Sequence, residues 1–241
     1  MTLALGFVCI GFASIVGGAT GFGTALIATP LMLLVGLSVP EVILVNLVVA
    51  LVTRSAVTFR LRAHVTWSRV GLFALGSIPG AWAGAEVLHV LPVHYLKPAA
   101  GVLVVLCGIS MAVPNRSEPH SPSPATQAAT GAVGGFLSTT TSLNGPPPVL
   151  LLTRARVPPL VFIADLAGYF TAVSAVSLII LGARGQISHS ILWPALPLFV
   201  AAGLFGNVGG LWIAHRLPVR AFRSAVIVLV IVAGAVTALS G

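Results

Sequence analysis

Residues 17–23 read Gly17-Gly18-Ala19-Thr20-Gly21-Phe22-Gly23, and they interrupt an apolar stretch that otherwise runs from Leu3 to Val35. Glycine gives up more backbone freedom in a helix than any other residue, so four of them within seven positions mark a place where a helix pauses. The apolar pieces on either side, 3–16 and 24–35, span 14 and 12 residues. At 1.5 Å per residue such pieces reach about 20 Å, short of a hydrocarbon core of about 30 Å. The opening of the chain is therefore expected to be a broken or re-entrant pair of short helices, and the spacing leaves open which.

The same plan returns in the second half of the chain, with its break at 139–148. Phe12, Ser14, Thr20 and Gly21 match Phe136, Ser138, Asn144 and Gly145 at one constant offset. Val39-Pro40 then matches Val157-Pro158, and Gly80 and Gly84 match Gly206 and Gly210. The stretch from Leu91-Pro92 to Lys97 matches the stretch from Leu217-Pro218 to Arg223. Glycine and proline are common in membrane helices, so each match alone is weak. Their shared order makes an internal duplication the expectation.

After each broken pair come three long apolar runs: 40–59, 69–89 and 95–113, then 159–181, 191–213 and 221–239. Each is close to the roughly 20 residues that cross a bilayer as a helix. Hydrophobic residues make up 57% of the 241 and charged residues 7%, against about 25% charged in an ordinary soluble domain. A soluble coat cannot be made from that composition. The runs lack the alternating polarity of a membrane β-barrel, so helices are the expectation. The net charge of +8 sits at span ends rather than on a basic face, which argues against a nucleic-acid partner. Met1-Thr2-Leu3-Ala4 carries no cation, so a signal-peptide n-region is not expected and the N-terminus is read as part of the mature protein. Cys9 and Cys107 lie in apolar runs without paired spacing and read as small packing residues. The fold class is thus an all-α polytopic membrane protein with a first repeat at 1–113, a polar linker at 114–127 and a second repeat at 128–241.

Each half crosses the bilayer an odd number of times whether its short pieces cross or re-enter, so the second repeat should be inverted relative to the first. The cation distribution gives the same topology. Arg60, Arg62, Arg69, Arg116, Arg154, Arg156, Arg216, Arg220 and Arg223 fall on one side and Lys97 and Arg184 on the other. By the positive-inside rule the loop at 60–69 and the linker are then cytoplasmic and both termini outside.

The Gly-rich break near the start of each half, the Gly-x-x-x-Gly helix and the Leu-Pro boundary before the last span together resemble the sulfite exporter TauE/SafE family. The resemblance covers nearly the whole chain. It implies an inner-membrane permease, with export the expected direction, for sulfite, sulfonates or related organosulfur anions, needing no cofactor or metal. The second break departs from the usual pattern by carrying hydroxyls at Thr139–Ser142 where glycines are common.

Inverted-repeat transporters hold substrate near the bilayer midplane, where discontinuous helices expose half-helix N-termini. Such a terminus carries bare N–H groups and about half a positive charge, which suits an oxyanion. Candidate substrate ligands are therefore Thr20, Gly21 and Gly23 at the first break and Asn144 and Gly145 at the second, with Ser14, Ser138 and Thr140 as nearby donors. The plain alternative is that the glycines permit close packing and the hydroxyls bond their own backbone. For Gly80, Gly84, Gly206 and Gly210 packing is the expectation.

Ionisable residues inside spans are costly, and Arg54 and Asp165 stand out. At matching depth in the inverted topology, they are expected to approach one another as part of an inner gate. Arg54 as a direct substrate ligand or a snorkelling side chain, and Asp165 as a proton carrier, remain alternatives. Gly108-Ile109-Ser110-Met111 superficially fits an intramembrane serine hydrolase, but no base is placed beside Ser110, so an enzyme is not expected. A non-transporting assembly or receptor protein is the other alternative. Small anion and lipid bilayer are the expected partners, with proton coupling and a homodimer left open.

Overall fold

The computed structural model describes residues 2–90, 122–187 and 191–214 without interruption, with single helical positions between 98 and 109 and between 228 and 235. Most of the last long span expected in each half, the matched stretches 91–97 and 217–223, Ser110, Lys97, Arg116, Arg216 and most of the linker lie outside the described residues.

Among the described residues all regular structure is helical: α1 Thr2–Thr20, α2 Thr24–Leu34, α3 Val39–Arg60, a short 3-10 turn Arg62–His64, α4 Trp67–Val90, α5 Pro124–Thr140, α6 Pro146–Arg154, α7 Pro159–Ala183 and α8 Ala195–Ala214. Five helical stretches are long and apolar enough to cross a membrane: Leu3–Thr20, Val39–Arg60, Trp67–Leu88, Pro159–Ala183 and Ala195–Trp212. Phe12, Leu75, Trp82, Phe205 and Trp212 lie exposed on them. An apolar surface that broad has lipid as its natural solvent.

Local chemistry sets where several helices begin. Ser38 caps α3, its backbone N–H bonded at 2.8 Å to Glu41 Oε2, and Pro40 supplies a φ already suited to the first turn. Ser123 caps α5, its Oγ accepting from the Thr126 N–H at 3.2 Å. Helix α5 therefore starts inside the stretch expected to be linker, and Gln127 is buried there with its side chain bonded to Pro122 O at 2.7 Å.

Both breaks are shorter than expected. Helix α1 continues through Gly17 and Gly18 to Thr20, so the break is only Gly21–Gly23, and Gly21 takes a φ of +86° that disfavours a side chain. The two earlier glycines serve packing instead: a Cβ on Gly18 would overlap the Asn207 backbone, and one on Gly17 would overlap Thr24. Likewise α5 runs to Thr140, leaving 141–145 as the second break. Gly17 and Gly18, expected to interrupt the helix, pack against neighbouring helices instead, and that contact keeps α1 helical across them.

Small residues also carry the two closest helix contacts. A Cβ on Gly76, Gly80 or Gly84 of α4 would overlap the backbone of Ala128, Ala132 or Phe136 of α5, in that order. On the other side of the molecule Gly206 and Gly210 of α8 sit against the carbonyls of Gly11 and Ile15 of α1. In each pair the residue numbers rise together, so α4 runs parallel to α5 and α8 parallel to α1. The packing expected of Gly80, Gly84, Gly206 and Gly210 is what the structure shows.

Helices α3 and α7 run antiparallel, since Ile43 and Leu47 near the start of α3 cluster with Ile180 and Leu181 near the end of α7. Thr58 near the end of α3 meets Thr171 at 3.3 Å. Helix α2 doubles back along α1 and packs against α3. Its Thr24 is level with Arg54 and its Thr29 with Asn46, so α1 and α2 form a hairpin with the first break at its tip. One apolar cluster, including Phe22, Leu143, Tyr169 and Phe170, packs around both breaks.

Candidate functional site

The two breaks meet. A Cβ on Gly145 would stand 3.3 Å from the Phe22 ring and 3.7 Å from Phe170, and Gly21 faces Ile163 of α7. All ten residues singled out from the sequence are buried: Ser14, Thr20, Gly21, Gly23, Arg54, Ser138, Thr140, Asn144, Gly145 and Asp165.

At the first break, Thr20 Oγ1 donates to Val16 O at 2.8 Å and accepts from the Gly23 N–H at 3.1 Å. Thr20 thus braces the turn. Helix α2 begins immediately after it, and the N–H groups of Thr24, Ala25 and Leu26 fall in the first turn, where a helix has no acceptors of its own. Arg54 reaches this point from α3. Its Nη2 donates to Gly17 O at 3.0 Å and to Thr24 Oγ1 at 3.3 Å, and the residue is only 4% exposed. The guanidinium therefore lies across the negative end of α1 and beside the positive start of α2. A guanidinium has five N–H donors, so Nε and Nη1 keep theirs for another acceptor.

Arg54 and Asp165 are not paired with each other. Asp165 Oδ2 lies 2.5 Å from Arg69 Nη1 of α4, and its Oδ1 accepts from the Thr66 N–H at 2.6 Å. Both partners come from the 60–69 segment. The pairing expected of them does not form: Asp165 turns toward α4, and Arg54 turns toward the α1–α2 tip. Glu41 is occupied with Ser38, and Glu86 pairs with Arg184, which also lies 4.3 Å over the Trp82 ring. Its hydrogen bond with Glu86 raises the Arg184 guanidinium above its ordinary value. Among the described residues no carboxylate pairs with Arg54.

The second break has different chemistry. Gly145 caps α6, but the first three positions of that helix are Pro146, Pro147 and Pro148, none of which has an N–H. Asn144 and Gly145 do stand at a helix start, as expected, yet that start is nearly bare of donors. Asn144 Nδ2 donates to Ser138 Oγ at 3.3 Å, and Ser177 Oγ of α7 donates to the same oxygen at 2.9 Å. Thr140 Oγ1 bonds Phe136 O at 2.9 Å, its own backbone. Ser14 Oγ is buried with no hydrogen-bond partner, against α8 near Gly203 and Gly206.

Sequence reasoning missed Asn46, Thr29 and Ser142. Asn46 Nδ2 lies 2.9 Å from both Thr29 Oγ1 and Ser142 Oγ, tying α2 and α3 to the second break. A signal was present, because Asn46 is a lone amide amid Val42, Ile43, Leu44, Val45 and Leu47. Asn46 lies inside a long span, away from either break in sequence, and only the packing of α2 against α3 brings it to Ser142. A cavity of about 220 Å³ near the start of α3 is lined by Pro40, Ile43, Leu44, Leu88, Leu181, Gln186 and Ile187, without a cation.

Several apolar membrane-length helices, with a hairpin and a second buried break meeting in their midst, define a multi-pass helical membrane protein. The family model for the sulfite exporter TauE/SafE matches residues 6–237, and the chain belongs to that family, whose members are transporters rather than enzymes. A Cupriavidus necator protein described as "Probable sulfite/organosulfonate exporter TauE" is 29% identical over 202 residues, covering 78% of this chain and 76% of its own. No solved structure matches.

Proposed function

We propose that the protein exports sulfite or an organosulfonate across the inner membrane by alternating access, holding the anion between the two breaks. The observation that carries this reading is Arg54, a buried cation without a carboxylate partner among the described residues, set at the donor-rich start of α2. A buried charge is tolerated when paired, and a transient anionic substrate completes the pair. Family membership and the name of the Cupriavidus necator relative supply the sulfur chemistry.

The repeats are inverted, with 60–69 and 114–127 cytoplasmic. The antiparallel run of α3 against its counterpart α7 supports this, as do the reciprocal contacts of α1 with α8 and α4 with α5. The gate role expected of Asp165 is retained, with Arg69 as its partner. That pair closes the cytoplasmic end of the α4–α7 contact and Glu86–Arg184 the outer end. In this reading Arg54 binds substrate and releases it as the ties exchange.

The test is sulfite efflux from liposomes carrying the purified protein. Wild-type protein should raise efflux well above empty liposomes, and Arg54→Gln should bring it close to background. No flux from correctly inserted wild-type protein would defeat the carrier reading, and wild-type flux from the variant would remove Arg54 from the site.

A further inference from the structure

The geometry points to a sodium site at the second break, formed by Asn46, Thr29 and Ser142. These side chains come from α3, α2 and the break itself and are 4%, 8% and 2% exposed. Asn46 Nδ2 is 2.9 Å from each hydroxyl oxygen, and the two hydroxyl oxygens are 3.2 Å apart. Asn46 Oδ1 is buried without a partner. A buried carbonyl left unbonded is unfavourable, so the Nδ2 bonds alone leave half of the amide without a partner.

A half-turn of the amide exchanges Nδ2 for Oδ1 without changing its volume. Three side-chain oxygens then converge with separations of about 3 Å. The Ser142 hydroxyl already directs its proton away, donating to Thr141 O at 2.6 Å, so its lone pairs face the cluster. Ser142 holds this position at a φ of +58°, which a serine adopts only when its surroundings impose it.

The field at this point favours a cation. Helix α5 ends at Thr140, so its last carbonyls form the negative end of a helix dipole at the break. The opposing positive end is weakened because α6 opens on three prolines. All three ligands are neutral, which suits a monovalent ion, whereas calcium sites gather carboxylates. Among the described residues no group of three His, Cys, Asp or Glu could hold a metal ion. Unwound backbone and helix C-terminal ends are where inverted-repeat transporters coordinate sodium.

The site itself stands apart from the carrier reading. Coupling rests on that reading: Phe22 of the first break packs against Gly145 of the second, so occupancy of one break alters the packing of the other.

The experiment is the melting temperature of the purified full chain in sodium, potassium and choline chloride at equal ionic strength, without any sulfur anion. Sodium should raise it over choline. Asn46→Asp, which adds a charged oxygen at constant shape, should reach the same rise at lower sodium. Ser142→Ala and Thr29→Val should abolish it. Equal melting of the wild type in all three salts overturns the site, as does a response to potassium alone, or a sodium rise that survives both hydroxyl deletions. Choline sulfite, added without sodium, reads the anion site separately: a sulfite rise without a sodium rise overturns only the cation site. A sodium rise without a sulfite rise leaves the cation site standing and counts against the anion reading.

Discussion

The first and second breaks occupy matching positions in the sequence pattern of the two halves, yet they present opposite chemistry to the point where they meet. At the first, Arg54 covers the carbonyl end of α1 and the start of α2 keeps its N–H groups. At the second, the carbonyl end of α5 has no such cation from α7, and prolines take the donors from the start of α6. Matched geometry has been given unlike electrostatics by a handful of substitutions. Gly23 and Thr24 correspond to Pro147 and Pro148, and Arg54 has Ala172 at the corresponding place in α7. Two breaks of like build can thus carry unlike electrostatics without any change of fold.

The largest effect should come from Arg54→Gln. Loss of the charge is expected to weaken sulfite affinity about 100-fold, which is close to 2.7 kcal/mol. The same variant should keep or gain thermal stability, because an unpaired buried charge is removed. Calorimetric titration with choline sulfite reads the first and a melting curve the second. Unchanged affinity would erase the contrast between the breaks.

Next is Asp165→Asn, which leaves Arg69 without its carboxylate at the level of the first break. A loss of about 2 kcal/mol in stability is expected, below the range for fully buried pairs because Arg69 is partly exposed. Glu86→Gln at the outer end should cost less, since that pair is open to solvent. Denaturant or thermal melts compare the two, and a larger loss at Glu86 would reverse the assignment of the stronger tie.

Ala25→Pro makes the first break resemble the second by removing one N–H from the second position of α2. A drop of about tenfold in sulfite affinity is expected from losing one hydrogen bond to a charged ligand. The mirror change, Pro147→Ala, restores an N–H at the second break and should leave sulfite affinity within about twofold. If both substitutions have the same effect, the breaks are chemically equivalent and the comparison fails.

Much of this arrangement was readable before any coordinates. Membrane class and the approximate positions of both interruptions follow from hydropathy and from glycine and proline, which act through the local backbone. Arg54 could be flagged because a charge amid aliphatic residues is costly wherever the helix turns. The proline run Pro146-Pro147-Pro148 was equally visible, but its missing N–H groups gain meaning only once it is placed at the start of α6 opposite the first break. The limits of the first break were misjudged because Gly17 and Gly18 serve a neighbouring helix.

Sequence alone, then, determined that the chain is a helical membrane protein with two interrupted helices and a buried cation near one of the interruptions. These are properties of short segments, set by burial cost and backbone freedom. Only the tertiary structure decided that Asp165 belongs to Arg69, that Arg54 lies on the tip of the α1–α2 hairpin, and that Asn46 reaches Ser142. Those pairings span 96, 37 and 96 positions of chain and depend on how each helix is rotated about its axis. Within continuously apolar spans hydropathy is nearly the same on every face, so it cannot specify that rotation, and close packing of small residues does.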